Sequence, residues 1–191
     1  VRRTFPAGVP QYSIPDTHAL TASILQTIDP STGEAIRSFT TEESRFAAAA
    51  IVRVTYDVPY FLEAFCFIDD EGHGLRRLYP LWESQRFILD RLAALQLKHQ
   101  QQRSPDGILV NILKARQLGA SSLAMCLVAH RILTKPFIRA IAGSDVEEQA
   151  RYLFTMVERI YNALPPFLKS ERVVPYQAGR ELHLANGSSI K

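Results

Sequence analysis

The strongest constraint on the fold of this chain is a junction near its middle. The apolar run Ile108-Leu109-Val110-Asn111-Ile112-Leu113 leads into Lys114-Ala115-Arg116-Gln117-Leu118-Gly119-Ala120-Ser121-Ser122, and a helix-like run follows from Leu123 to Leu133. Strand, tight glycine loop, hydroxyl residue, helix is the order of a phosphate-binding loop. The spacing G-x-x-x-x-G-K-[ST] puts its second glycine at Gly119 and its hydroxyl at Ser121. It also puts Lys114 in the first-glycine position and Ala120 where the lysine belongs. Two readings stay open at this level. One is a phosphate site whose cation has moved; the other is a plain strand–helix turn with one glycine and basic surface residues.

The physical requirements of a phosphate cradle sort the residues of the first reading. Backbone N–H groups must converge at a helix N-terminus, where the dipole favours an anion. Gly119 and Ala120 allow close backbone approach, and Ser121 stands where a hydroxyl would ligate Mg²⁺, with Ser122 as its neighbour. Lys114 can swing a long side chain over the loop. Arg116 brings a fork of donors suited to a γ-phosphate.

The rest of the chain supplies the frame. At 191 residues, 47% hydrophobic and 21% charged, it is long enough for one soluble domain with a core, or a domain with an arm. No apolar run reaches the roughly 20 residues needed to span a bilayer, and no apolar stretch behind Arg2-Arg3 marks a signal peptide. A net charge of +3 permits a nucleic-acid partner without demanding one. Cys66 and Cys126 both sit in apolar surroundings and read as buried small hydrophobes, and the five histidines show no metal-ligand spacing, so a reducing intracellular compartment is expected.

Residues 1 to about 20 carry Pro6, Pro10 and Pro15 and read as an extended arm. Ile24 to Thr40 reads as a β-hairpin around Asp29-Pro30-Ser31-Thr32-Gly33, followed by a helix capped at Thr41. Tyr60 to Ala64 is expected as a short helix and Phe65 to Ile68 as a strand. A helix then opens at Pro80 and runs to about Gln100, with Leu81, Ile88, Leu92 and Leu95 on one stripe. The centre reads as a βαβ unit: Ile108–Lys114 as strand, Ser121–Thr134 as crossover helix, Phe137–Ala142 as the next strand. Ser144-Asp145-Val146-Glu147 is expected to open a helix with a capping box, ended by Pro165-Pro166, and Asn186-Gly187 signals a hairpin. Two clear parallel strands plus hairpins make an incomplete α/β sheet, so the chain is expected to be an N-terminal part of a longer protein.

The loop segment Lys114 to Ser122 resembles the deviant Walker A segment of large terminase subunits, the DNA-packaging motors of tailed phages, in which the lysine is displaced to the front of the loop. Other segments resemble the same family in the same order. They are Tyr60 to Asp69, Leu78-Tyr79-Pro80-Leu81-Trp82-Glu83-Ser84-Gln85 with its glutamine motif, Ala142-Gly143-Ser144 with the long helix ending at Leu164-Pro165-Pro166, and the Leu182 to Ile190 hairpin. The resemblance covers roughly residues 56 to 191 and leaves residues 1–55 unexplained.

The resemblance implies a P-loop NTPase fold of the RecA/ASCE type, a parallel sheet with flanking helices that is incomplete in this chain and preceded by the residue 1–55 arm. It implies ATP and Mg²⁺ as cofactors. Lys114, Gly119, Ala120, Ser121 and Ser122 would hold phosphate, Ser121 would ligate the metal, and Arg116 would be the catalytic γ-phosphate contact. Gln85 would read adenine, its carboxamide matching a donor and an acceptor to the base edge. The implied partners are double-stranded DNA, a portal protein, a small terminase subunit and other copies in a homo-oligomeric ring on the capsid, in the host cytoplasm and without a membrane. The sequence departs from the pattern in two ways. Ala120 replaces the lysine, and no Walker B strand ending in acidic residues follows, nor does an acidic nuclease cluster. Nucleotide-binding elements without a complete hydrolytic site are therefore expected. The competing expectations are a helicase-type P-loop motor fragment and an inactive adaptor that keeps the fold.

Overall fold

A computed structural model of the chain describes residues 6–29, 31–32, 34–70, 74–102, 107–113, 119–169, 172–173 and 181–191. The fold is mixed α/β and helix-rich, with two small sheets. The extended arm expected over residues 1 to about 20 gives way in its second half to a helix, α1 (Ile14–Leu25), which also takes in the first residues of the expected 24–40 hairpin. Ser13 caps it, its hydroxyl accepting from Asp16 N–H, and proline sits in the first turn, where its missing N–H is harmless. Of the three prolines that suggested an arm, Pro15 therefore starts a helix, while Pro6 and Pro10 precede it. What remains of the hairpin is a single antiparallel bridge, Ile28 to Ala35.

Helix α2 (Thr41–Tyr56) has Thr40 as its cap, one residue before the expected Thr41. Thr40 and Glu43 form a reciprocal capping box, the hydroxyl accepting from Glu43 N–H and the carboxylate from Thr40 N–H. Asp57 ends α2 and caps α3 (Val58–Phe65), whose residues Tyr60 through Phe65 are all buried. The three helices hold the aromatic heart of the core. Phe46 meets Tyr12 and Phe167 edge-on at centroid distances of 5.2 and 5.8 Å, and Phe61 and Phe65 are fully buried beside it. Removing one such ring typically costs about 3–5 kcal/mol.

An antiparallel pair follows, β1 (Phe67–Asp70) and β2 (Gly74–Arg77), in the register Phe67 to Arg77. Helix α4 (Glu83–Gln102) starts just past Pro80, as the sequence suggested, but buries little of its stripe. Gln85 is its one buried residue, and Leu95 is exposed. Helix α5 (Ala120–Thr134) appears where expected and packs on α6 (Glu147–Ala163). The capping box expected at the start of α6 is absent: Val146 is the cap residue and makes no side-chain cap bond, and the Ser144 hydroxyl accepts from Val146 N–H, one residue short of the expected Glu147 N–H, while its hydrogen is directed to Asp145 and Gln149. A 3₁₀ turn, Pro166–Leu168, follows α6.

The second sheet contains β3 (Arg139–Ala140), β4 (Arg172–Val173), β5 (Leu182–Leu184) and β6 (Ser189–Ile190), in the order β3-β6-β5-β4. β3 and β6 are parallel, and β5 and β6 form the hairpin that Asn186-Gly187 announced, Gly187 taking φ +80° at the turn. The strand expected at Ile108–Lys114 is not formed. Residues 107–113 lie outside helix and strand and are exposed, Leu109 and Leu113 almost completely. Lys114 itself lies outside the described residues. Strand propensity needs a neighbouring strand to take up its backbone groups, and among the described residues none pairs with this segment.

Candidate functional site

The candidate site forms where the start of α4 meets the start of α5. Glu63, on α3, fixes the approach to α4. Its carboxylate accepts from Leu81 N–H at 3.1 Å and from the Arg86 guanidinium, whose Nε also reaches Leu81 O. Trp82, immediately before α4, accepts from Arg86 N–H, so the first turn is already wound at this point. Gln85, three residues on, turns its side chain back and accepts from Trp82 N–H at 3.0 Å. This is one half of a capping box, the half that a glutamine at the third helical position supplies. Satisfying that N–H explains why a polar residue, Gln85, is buried in line with Leu81 and the half-buried Ile88 and Leu92.

Gln85 is 0% exposed, and among the described residues its Nε2 has no hydrogen-bond partner. A backbone N–H can only donate, so the atom facing Trp82 N–H must be the carbonyl oxygen, and Nε2 is the orphan. That nitrogen faces Gly119. A Cβ placed on Gly119 would come within 2.7 Å of Gln85 Nε2 and 3.2 Å of the Trp82 ring. Gly119 also holds φ +64° as the cap residue of α5. Both the left-handed backbone and the close approach thus require glycine at 119.

Among the described residues the α5 N-terminus beyond Gly119 makes no side-chain cap hydrogen bond, and it has no acidic residue in its first turn. Leu123 N–H closes the first helical bond onto Gly119 O at 2.9 Å. Ala120 is buried, Ser122 is half-buried, and Ser121 is exposed on the first turn. The helix is anchored from below by Leu123, Cys126, Ala129 and Ile132, all buried. His130 sits on the same face, its ring bonded to Val54 O at 2.8 Å and tilted against the Phe61 ring at a centroid distance of 5.1 Å. Burial, opposed by that bond and aided by Arg131 and Lys135, lowers its pKa and disfavours the charged imidazolium. Burial, with the Cys126 thiol beside it, pushes the Cys66 thiol well above its ordinary range. Both cysteines are free and buried, as their apolar surroundings suggested.

Of the residues singled out in the sequence, Gln85, Gly119, Ala120, Ser121 and Ser122 fall in one place, although 34 positions separate Gln85 from Gly119 in the chain. Lys114 and Arg116 lie outside the described residues. Two contributors escape sequence reading. Trp82 packs on Gly119, and its position as the residue before a helix start is the available signal. Glu63, which positions the start of α4, carries none. The donor set does not build a resident metal centre: among the described residues no group of three or more His, Cys, Asp or Glu side chains is placed to hold a metal ion. Two surface hollows, one at Tyr12, Thr41, Glu42 and Arg45 and one between Val54, Phe61, Leu133 and Phe167, lie apart from Gln85 and Gly119. Among the described residues no helix is long and apolar enough to cross a membrane. No protein-family model matches the chain, and no curated protein matches it.

Proposed function

We propose that the α4–α5 junction is a nucleoside-triphosphate site, and that the chain is the ATP-binding part of a DNA-packaging motor of the large-terminase type. In the whole motor, ATP hydrolysis would drive double-stranded DNA into a procapsid, with the portal protein, the small terminase subunit and further copies in a ring as partners. One observation carries the phosphate site: a buried, unpartnered Gln85 Nε2 meets Gly119 at the uncapped N-terminus of a 15-residue helix. Backbone donors at such a terminus and the helix dipole favour an anion. The motor reading rests on the ordered resemblance of the surrounding segments.

The residues divide the work. The first-turn N–H groups of α5 receive phosphate oxygens, with Gly119 keeping the approach open. Lys114 and Arg116 provide the positive charge that Ala120 does not. Mg²⁺ arrives with the nucleotide, since the junction lacks the carboxylates of a resident site, and the Ser121 hydroxyl is the protein group that would meet it. The chain by itself then binds nucleotide without turning it over, which is also the behaviour of an adaptor that keeps the fold. Titration of the chain with ATP, compared with the Lys114→Ala variant, tests the site. Tight binding by wild type and weakening by about tenfold or more in the variant supports it, the scale of one charge-assisted hydrogen bond. Equal binding by the two sinks the assignment of Lys114, and no binding by either sinks the site.

A further inference from the structure

We infer that Gln85 acts on the phosphate side of this site, as a donor to an anionic oxygen, and that the site selects a polyphosphate with little discrimination between bases. The inference rests on the proposed nucleotide site and deepens it. A glutamine that reads adenine must offer the base both an acceptor and a donor. Here the acceptor is turned away from the site: Oε1 is buried and points back onto Trp82 N–H at 3.0 Å, in the winding of α4. Nε2 is the atom turned to Gly119, fully buried and without a partner among the described residues.

The surroundings of that nitrogen ask for the same kind of ligand. The helix end beside it gathers backbone N–H groups, has no side-chain cap and carries no acidic residue in its first turn. Trp82 covers Gly119 from the same side, its ring 3.2 Å from where a Cβ would stand. A side-chain donor presented beside a helix terminus of backbone donors is complementary to phosphate oxygens. The mixed donor and acceptor edge of a purine would leave one of its own groups without a partner there.

Trp82 is the single tryptophan of the chain, so its emission reports on the site without a label. The full chain is titrated with ATP, GTP and inorganic tripolyphosphate, each with Mg²⁺, in wild type, Gln85→Met and Gln85→Glu. Thermal melts accompany each protein. Gln85→Met removes the donor and keeps the volume. Gln85→Glu keeps an acceptor for Trp82 N–H, so it preserves the helix start while replacing the donor with an anion. The expected result is a loss of about tenfold for all three ligands in Gln85→Met, the worth of one hydrogen bond to a charged group. The ATP-to-GTP ratio should stay within about twofold of wild type, and the loss in Gln85→Glu should be larger. Where Gln85→Met does not fold, Gln85→Glu decides by the same pattern. A loss confined to ATP, with tripolyphosphate unchanged, makes Gln85 a base reader and overturns the inference while the nucleotide site stands. Unchanged binding of all three ligands overturns it too. Failure of wild type to bind any of the three removes the nucleotide site, and this inference with it.

Discussion

Glu43 and Gln85 are both polar side chains taken almost entirely out of water, 3% and 0% exposed, and both sit at the third position of a helix, reaching back to the N–H that precedes it. There the likeness stops. Glu43 is saturated: Arg37 grips both carboxylate oxygens, at 2.7 and 2.8 Å, and Ser23 and Thr40 N–H complete the shell. It ties α1, the residue 37–40 segment and α2 into one unit. Gln85 spends its oxygen in the same way and leaves its nitrogen with nothing. A saturated buried group is what a fold needs from a polar residue. An unsaturated one is a standing energetic penalty that a ligand can remove.

Substitution separates the two roles. Glu43→Ala strips the acceptor from Arg37, Ser23 and Thr40 N–H together, and its fall in melting temperature should exceed that of any substitution at Thr40, Gln85 or Gly119. The pH dependence identifies its origin. The Arg37 guanidinium, then Ser23 and the Thr40 N–H, hold the Glu43 carboxyl well below its ordinary value of 4.5. Such a group stabilises the fold above the unfolded-state value, and the contribution is lost as pH falls through the folded-state value. The gap between wild type and Glu43→Gln in thermal melts should therefore be widest at neutral pH and close in acid below the ordinary carboxylate range. A gap independent of pH would mean that shape, not charge, holds this unit.

Gly119→Ala is expected to come next. The left-handed backbone alone costs a residue with a Cβ about 1–2 kcal/mol, and the new methyl must displace Gln85 or Trp82. Urea unfolding, with a matched shift in Trp82 emission, reads both effects. Thr40→Ala removes one arm of the capping box and should lower stability by about 1 kcal/mol, measured by the same urea titration. Gln85→Met should have the smallest effect on the ligand-free fold, within about 1 kcal/mol, because removing an unpartnered donor offsets the loss of the bond to Trp82 N–H. Should Gln85→Met destabilise the free protein as much as Glu43→Ala, the contrast between the two residues collapses and Gln85 becomes a purely structural residue.

Legibility in the sequence follows the range of the interactions. Helices α2, α5 and α6 and the Asn186-Gly187 hairpin are readable because their apolar spacing, stops and turns are local, although the cap of α2 falls on Thr40 instead of Thr41 and the capping box expected at α6 does not form. Helix α1 is masked although Ser13-Ile14-Pro15-Asp16 is a complete helix start, because three prolines in the first 15 residues suggest extended chain. Ile108–Leu113 has strand chemistry, but a strand is a property of pairs, and the sequence does not say what a strand lies beside. The meeting of Gln85 with Gly119 is suggested only by resemblance. The stripe Leu81, Gln85, Ile88, Leu92 carries the sign that Gln85 faces inward, but no periodicity tells which of its two polar atoms will be left open.

The hairpin turn has one more consequence. Asn186 Nδ2 donates to Ile132 O at 2.8 Å, Ser188 Oγ donates to Lys135 O at 2.8 Å, and Phe137 N–H donates to Asn186 O. These bonds seize the C-terminal end of α5, the end remote from Gly119. A helix of this length is a rod of about 22 Å. One end rests on the Gln85–Trp82 contact and the other is bolted to the tip of a β-hairpin. Both termini of α5 are therefore held by residues distant in sequence, the first turn by Gln85 and Trp82 and the last by the hairpin tip, and the position of Gly119 is set from both ends of the helix.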